Sequence, residues 1–420
     1  MLEWLIIGGG IHGTYLSNLL VHEVGVPPED VRVLDPHPAP LALWQRHAAA
    51  CGMTYLRSPS THNIDLPVLS LYRFAMSTSD GRPDFIPRYN RPSLELFARH
   101  CRFTIEARGL DALRLSGRAR VLHRRGGGLS VETEAERLSA RRVLLAIGLT
   151  EQPRWPRWAR RLQDRGAPVD HVFAEGFQRS AGDSTRRTIV VGGGLSAVQT
   201  ALALVKEGKG AVCVLCRHRL REIPFDFDPC WIGPKCMRGF LRISPEKRRP
   251  VIDNARLPGT VPAEVRAAFE SGLADSRRLR FEKGGVDRAS ISSGEIHLHI
   301  DGGRTLPADR VILATGFDAG RPGGRFVDNA VKRLALPVAR CGYPLVGDDL
   351  QWGAGLFVTG PLAELRVGPC ARNISGARNA GRLLLGFLKP EPQAGQRKFA
   401  TETEWCAVGS GAPDRRRGRS

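Results

Sequence analysis

The chain has 420 residues, 42% hydrophobic and 25% charged, with a formal net charge of +20. That apolar content is enough to bury two interlocked cores, whereas no run of about 18 apolar residues is present to cross a membrane as a helix. The excess charge comes from 54 arginines set against 8 lysines and spread through both halves, a scatter that argues against a specific nucleic-acid surface.

At the N-terminus Leu5-Ile6-Ile7 reads as a short strand running into Gly8-Gly9-Gly10-Ile11-His12-Gly13. Ile11, Tyr15, Leu19 and Leu20 follow at helical spacing. In such a turn Gly8 allows the sharp bend, Gly10 lets the backbone approach a pyrophosphate, and Gly13 lets the helix pack on the strand. The helix N-terminus then offers unpaired N–H groups to the phosphates. His12, inside the turn, is placed either to contact the ligand or to be solvated at the helix start. A turn beginning at Gly8 leaves no room for a signal peptide, and the expected location is cytoplasmic.

The next strand, Val31 to Asp35, ends in an acid 22 residues after Gly13. A carboxylate there accepts hydrogen bonds from a ribose diol, the mark of FAD or NAD. Further on, Leu138 to Gly148 aligns without a gap with Leu306 to Gly316, and each is preceded by alternating strand segments, Leu129 to Thr133 and Ile296 to Ile300. The chain is therefore two copies of one plan. Glu151 to Ser184, rich in Pro, Trp and Arg, reads as the hinge region.

The second copy opens at Thr188 to Val191, followed by Gly192-Gly193-Gly194-Leu195-Ser196-Ala197. Gly192, Gly194 and Ala197 take the three turn positions, with Ser196 beside them, and Leu195, Val198, Leu202 and Val205 are expected on one helix face. Its second strand, Ala211 to Cys216, ends in Arg217-His218-Arg219 instead of an acid. Arg217 and Arg219 suit a 2′-phosphate, hence NADPH over NADH, unless they are ordinary surface arginines. Cys213 and Cys216 form a CxxC whose strand alternation sends the two thiols to opposite faces.

Nine cysteines without regular spacing fit free thiols better than a disulfide framework. Pro224 to Trp231 is a proline-bounded aromatic loop carrying Asp226, Asp228 and Cys230; it either lines a substrate cleft or packs on the surface. The two acids alone do not make a metal site. Gly355 to Gly360 is again a strand meeting glycine, followed by a helix near Ser375 to Leu388. The expected fold is α/β, with two Rossmann-like dinucleotide-binding domains, the second inserted into the first. The expected boundaries are 1–165 and 309–390 for the FAD domain, 166–308 for the NAD(P)H domain, and a disordered basic tail over 391–420 ending in Arg415-Arg416-Arg417-Gly418-Arg419.

Taken together, Gly8 to Gly13, the GGGxSA turn at Gly192 to Ala197 and the D-x3-L-A-T-G-F segment from Asp309 to Phe317 resemble, in order and spacing, the N-hydroxylating flavin monooxygenases that act on ornithine and lysine. Weaker likenesses are Leu43-Trp44-Gln45, Met53 to Arg57, His171 before Phe173, and Phe357 to Gly360 followed by Arg366-Val367-Gly368. The resemblance implies FAD and NADPH as cofactors, with O2 and a small molecule as substrates. It places Thr315, Gly316, Gly360 and Gly368 at the cofactors and marks Trp44 and Arg57 as catalytic candidates: Trp44 either shields the flavin or only packs, and Arg57 either faces the flavin pyrimidine or a substrate carboxylate or forms a surface salt bridge. His12, from its place in the turn, stands at a phosphate or the flavin edge unless it is solvated.

The implied chemistry is hydride transfer from NADPH to FAD, formation of a C4a-(hydro)peroxyflavin, and oxygen transfer to a nucleophilic nitrogen or sulfur. Two departures stand out. The family's glutamine in the NADPH turn is Leu195 here, and its N-Y-S substrate segment is replaced by Leu257 to Pro262. Two other readings stay open: a flavin-dependent reductase or sulfide- or quinone-linked oxidoreductase using Cys230, Cys236 or Cys370, and a dinucleotide-binding protein without turnover.

Overall fold

The computed structural model describes residues 1–78, 84–180, 186–208 and 210–389. The expected basic tail lies outside them. None of the described helices is long and apolar enough to cross a membrane.

Two sheets organise the molecule. The first is eight-stranded; its main path runs Gln351–Gly353, Leu356–Val358, Arg137–Leu145, Leu2–Ile7, Val31–Asp35 and Arg114–Ser116, with the hairpin Val121–Arg125 and Gly128–Glu132 joined to Arg137–Leu145. The second, five-stranded, runs Leu279–Lys283, Ala211–Cys216, Arg187–Val191, Arg310–Leu313 and Val169–His171. All its neighbours are parallel. Parallel strands are covered on both faces, which is why Trp4 to Leu5 and Arg310 to Leu313 read as continuous buried runs rather than alternating ones.

The duplication holds down to individual bonds. Ile7 pairs with Leu145 and Val191 with Leu313 in parallel register. Beyond each pair the following alanine closes the ladder, Ala146 N–H to Ile7 and Ala314 N–H to Val191, both at 2.9 Å. The first sheet is completed by the C-terminal part of the chain, since Phe357 pairs with Leu144. The second unit is therefore inserted into the first.

Where the chain crosses between units differs from expectation. Glu151 to Ser184 is not simply a hinge: it supplies the helix Arg157–Gln163 and the edge strand Val169–His171 of the second sheet. The crossing is narrower. Arg154 N–H donates to Gly316 and Asp318 N–H to Gln152, each at 2.9 Å, so the outgoing and returning segments pair with one another. The return also comes later than residue 308, because Arg310–Leu313 is hydrogen-bonded into the middle of the second sheet.

Two further expectations are corrected. The buried face of the helix Leu195–Lys206 is Ala197, Val198, Ala201 and Leu204, with Leu195, Leu202 and Val205 only partly covered. Small side chains at 197 and 201 let this helix lie close to its sheet, and the face turns accordingly. Cys230 and Cys236 are joined in a disulfide with Cα atoms 5.3 Å apart. Six cysteines, Cys213 and Cys216 among them, are free thiols among the described residues.

A third body of structure comes from the stretch between strands Ala211–Cys216 and Leu279–Lys283. Its helices Pro234–Arg242 and Arg248–Ala255 pack back on the first unit, where Phe240 and Ile252 share a small core with Ala339, Tyr343 and Leu365. This stretch belongs to neither nucleotide-type sheet.

Candidate active site

The first glycine turn is built for close backbone approach. A Cβ on Gly13 would lie 1.8 Å from the Gly8 carbonyl oxygen, and one on Gly8, at φ +111°, would lie 2.6 Å from that of Ala146. The second turn repeats this, with a Cβ on Gly192, at φ +151°, falling 2.5 Å from the Ala314 carbonyl oxygen. Asp35 holds the first turn from the next strand: Oδ2 accepts from Gly9 N–H at 2.6 Å and Oδ1 from His37 N–H at 2.8 Å. Each oxygen keeps a further lone pair for a ligand.

A cleft of about 870 Å³ opens in front of this turn and reaches the second unit. Of the residues singled out in the sequence, Gly8, Gly10, His12, Asp35, Trp44, Arg57, Ser196 and Gly360 line it. Gly13 lies beneath the turn it permits. Gly192, Gly194, Ala197, Arg217, Arg219, Thr315, Gly316 and Gly368 are not part of its wall.

Several side chains do a different job from the one expected. His12 is neither free for a phosphate nor solvated: Nε2 lies 3.1 Å from the Asn373 carbonyl and Nδ1 2.8 Å from Thr359 Oγ1. Nε2 therefore donates and Nδ1 accepts the threonine hydroxyl. Burial pushes the imidazole down to about 4, with the Asn373 bond opposing, so neutral His12 latches the glycine turn to the start of the helix Ile374–Leu388. Arg57 is turned to the inserted stretch, donating through Nε to Pro224 and through Nη2 to Ile223, Phe225 and Thr260 at 2.6–3.0 Å. It is a clamp on the loop Ile223 to Phe225. Burial lowers its pKa. Trp44 packs on Phe97, centroids 5.2 Å apart, with its remaining surface toward the cleft.

At the crossing, Thr315 spends its hydroxyl internally, donating to the Arg154 carbonyl and lying 3.3 Å from His171 Nε2. Phe173 N–H donates to His171 Nδ1 at 3.1 Å, which fixes the tautomer with hydrogen on Nε2. Gly316, at φ +78°, supplies the carbonyl that pairs the two crossing segments. Gly368, at φ +82°, makes room for Met237, whose Sδ would lie 2.9 Å from a Cβ there. Arg217 and Arg219 are exposed at the end of Ala211–Cys216.

The cleft also contains residues assigned no role from the sequence, although Phe173 and Phe317 stand in motifs. Phe173 and Phe317 stack at 5.0 Å and 13°, and His47 packs on Phe173 at 5.0 Å, together forming an aromatic wall at the crossing. Burial, Arg46 and His37 lower His47 to about 4. Buried Cys51 lies beside Ser196 of the second turn, and burial pushes its thiol up to about 11. Arg372 and Asn373 form the floor opposite. Arg372 and Asn373 are singled out only by standing with Gly360 at the cleft, since the pattern around them is ordinary loop sequence.

Two glycine turns of this build, facing one cleft across an inserted α/β unit, define the two-dinucleotide-binding-domain flavoprotein class. Residues 82–319 match the L-lysine 6-monooxygenase/L-ornithine 5-monooxygenase family, and the chain belongs to it. A curated relative, the rhizobactin siderophore biosynthesis protein RhbE of Rhizobium meliloti, is 25% identical over 231 residues, 49% of this chain. The chain spans 50% of that relative's length. The fold is similar to that of FAD-bound DfoA, the desferrioxamine-pathway cadaverine monooxygenase of Erwinia amylovora (TM-score 0.71, 14% identity, 96% of this chain and 100% of that one). It is similar, too, to the ornithine hydroxylase PvdA of Pseudomonas aeruginosa (0.70, 17%, 92% and 98%) and to L-lysine 6-monooxygenase of Pseudomonas syringae (0.67, 18%, 93% and 99%).

Proposed function

We propose that the protein is an FAD- and NADPH-dependent monooxygenase that transfers one oxygen atom of O2 to the nucleophilic nitrogen of a small amine. The observation that carries this reading is the convergence of both turns on one cleft, the first through Gly8 to His12 and the second through Ser196. FAD fits the first turn because the backbone positions at Gly8 and Gly13 have no room for side chains and Asp35 stands at the ribose position. NADPH fits the second, with Arg217 and Arg219 at the strand end where a 2′-phosphate lies. The sequence boundaries then take on ligand meaning, with FAD in the unit completed by the C-terminal strands and NADPH in the inserted one.

When bound, the flavin supplies the redox and oxygen-transfer chemistry. The residues of this chain position and exclude. The N-terminus of the helix Ile11–Leu19, which no side chain caps, would hold the pyrophosphate of bound FAD through its N–H groups. Trp44 and the Phe173–Phe317 stack shield the reacting region from water, which strengthens every polar interaction inside it. Arg57 holds the inserted loop as the cleft wall. A neutral His12 keeps the turn and the floor in register.

The alternative that uses Cys230, Cys236 or Cys370 has less to stand on: burial raises Cys370 to about 11, which disfavours the thiolate, and neither half of the Cys230–Cys236 disulfide lines the cleft. Purified protein should take up FAD to give a yellow holoenzyme that consumes NADPH and O2 and forms a hydroxylamine from an amine of a panel. A protein that stays colourless with FAD in excess overturns the proposal.

A further inference from the structure

The two glycine turns share a backbone plan but differ in what stands in front of them. In the first, a Cβ built on Gly10 meets no atom of the described residues within 4 Å, and Gly10 lines the cleft. At the matching position of the second, a Cβ on Gly194 lies 3.5 Å from the Gly259 Cα and 3.7 Å from its backbone nitrogen. This is the glycine whose missing side chain lets a turn approach a pyrophosphate. The space in front of Gly194 thus holds a methyl and nothing as large as a phosphate, and Gly194 is absent from the wall of the cleft.

Gly259 lies in the segment Leu257 to Gly259, which runs into the short strand Thr260–Val261. The root of that segment is fixed. Thr260 and Val261 are buried and pair in parallel with Arg221–Glu222, and Ile223 N–H donates to the Val261 carbonyl at 2.9 Å. The tip is held by less. Arg221 Nη2 donates to the Pro258 carbonyl at 2.5 Å, Thr260 Oγ1 to that of Leu257 at 2.8 Å, and Leu257 N–H to that of Asp226 at 2.8 Å. Pro258 is exposed and Leu257 and Gly259 are half-buried, so lifting the tip uncovers little apolar surface.

Two features fit the tip to its seat. Gly259 has φ +70°, a conformation that another residue adopts only under strain, and a Cβ there would lie 3.1 Å from His218 Nε2. Glycine alone lets the tip lie against both His218 and the turn. From the first unit, Arg57 Nη2 donates at 2.8 Å to Thr260 Oγ1, the hydroxyl that holds Leu257. The closed position therefore depends on contact between the two units.

We propose that Leu257 to Gly259 is a strap closed over the second glycine turn, which lifts before a nicotinamide dinucleotide seats its pyrophosphate there; this rests on the NADPH reading above. The apparent dissociation constant is then the intrinsic one divided by the fraction of molecules with the strap open. Weakening the closed position tightens binding, the reverse of what damage to a binding site does. It is tested on FAD-loaded protein with NADP+, which binds without delivering a hydride, by calorimetry and by amide exchange.

Gly259→Ala strains the closed strap and leaves the atoms of the turn in place, so it should tighten NADP+ by roughly 5–30-fold. Thr260→Val removes the hydroxyl between Arg57 and Leu257 and should tighten NADP+ by a smaller factor. In the wild type, NADP+ is expected to speed exchange at the Leu257, Gly259 and Thr260 amides while slowing it at residues 194–197. Unchanged or weaker NADP+ binding in both variants, or NADP+ that protects the strap amides, overturns the strap and leaves the NADPH reading in place. No NADP+ binding by the wild type or by either variant removes that reading and the strap with it.

Discussion

Gly13 shows how little tolerance the site has at single positions. A methyl there would lie 1.8 Å from the Gly8 oxygen, so Gly13→Ala must displace the helix or the turn. Such overpacking costs about 1–3 kcal/mol or more. The purified variant should carry less FAD, read as the ratio of flavin to protein absorbance, and melt at lower temperature. His12 gives a pH dependence of known sign. Its pKa falls from 6.5 to about 4 on folding, so the folded state disfavours the protonated form. Stability is complete above the unfolded value of 6.5 and is lost as pH drops from there toward 4, with little further loss from this group below. Buried His100 and His171, both also lowered to about 4 mainly by burial, act in the same direction. Urea unfolding at pH 7.5 and pH 5 should show the lower midpoint at pH 5, and an unchanged midpoint would contradict the assignment.

Among elements, the loop Ile223 to Phe225 is held by one side chain. Arg57→Ala removes donors from three backbone carbonyls and Thr260, a loss of about 1–3 kcal/mol for charged bonds at a part-buried site. The effect should be local. Amide exchange is expected to rise in the inserted stretch around residues 223–262 while the strands of both sheets keep their protection. Arg57 stands out in the sequence only by its place in the family-like segment Met53 to Arg57. Its function as a clamp was not legible there, since its partners lie more than 160 positions away. The Cys230–Cys236 pair was missed for a related reason: a spacing of six means nothing until a turn brings the two Cα atoms within bridging distance. Alkylation before and after reduction should reveal one additional pair of reactive cysteines in the reduced protein.

Over the whole molecule, the two units meet through paired crossing segments and through arginines reaching across. Arg91 binds Glu264 at 2.7 Å, and Arg179 donates to the Ala49 and Ala50 carbonyls. These contacts keep Ser196 at the cleft that the first turn opens. Under the proposed function nicotinamide specificity belongs to the same scale, because the second turn and the cations beyond it lie on one unit while the cleft lies between two. Replacing Arg217 and Arg219 together by alanine should raise KM for NADPH much more than for NADH, with kcat little affected. Equal effects on the two would remove the 2′-phosphate assignment.

The two strand–turn–helix units, the acid at Asp35 and the return of the chain to its first sheet follow from the sequence alone. Each is encoded by neighbours in the chain: strand periodicity, glycines whose positive φ or missing Cβ a turn requires, and a repeat that aligns residue by residue. The tertiary structure decided what the charged side chains do. Arg57 became a clamp, His12 a neutral latch, Thr315 a brace at the crossing, and buried Glu364 the shared partner of Arg249 and Arg372. Burial and partnering set those roles through desolvation and hydrogen bonding, and both depend on groups that only folding brings together.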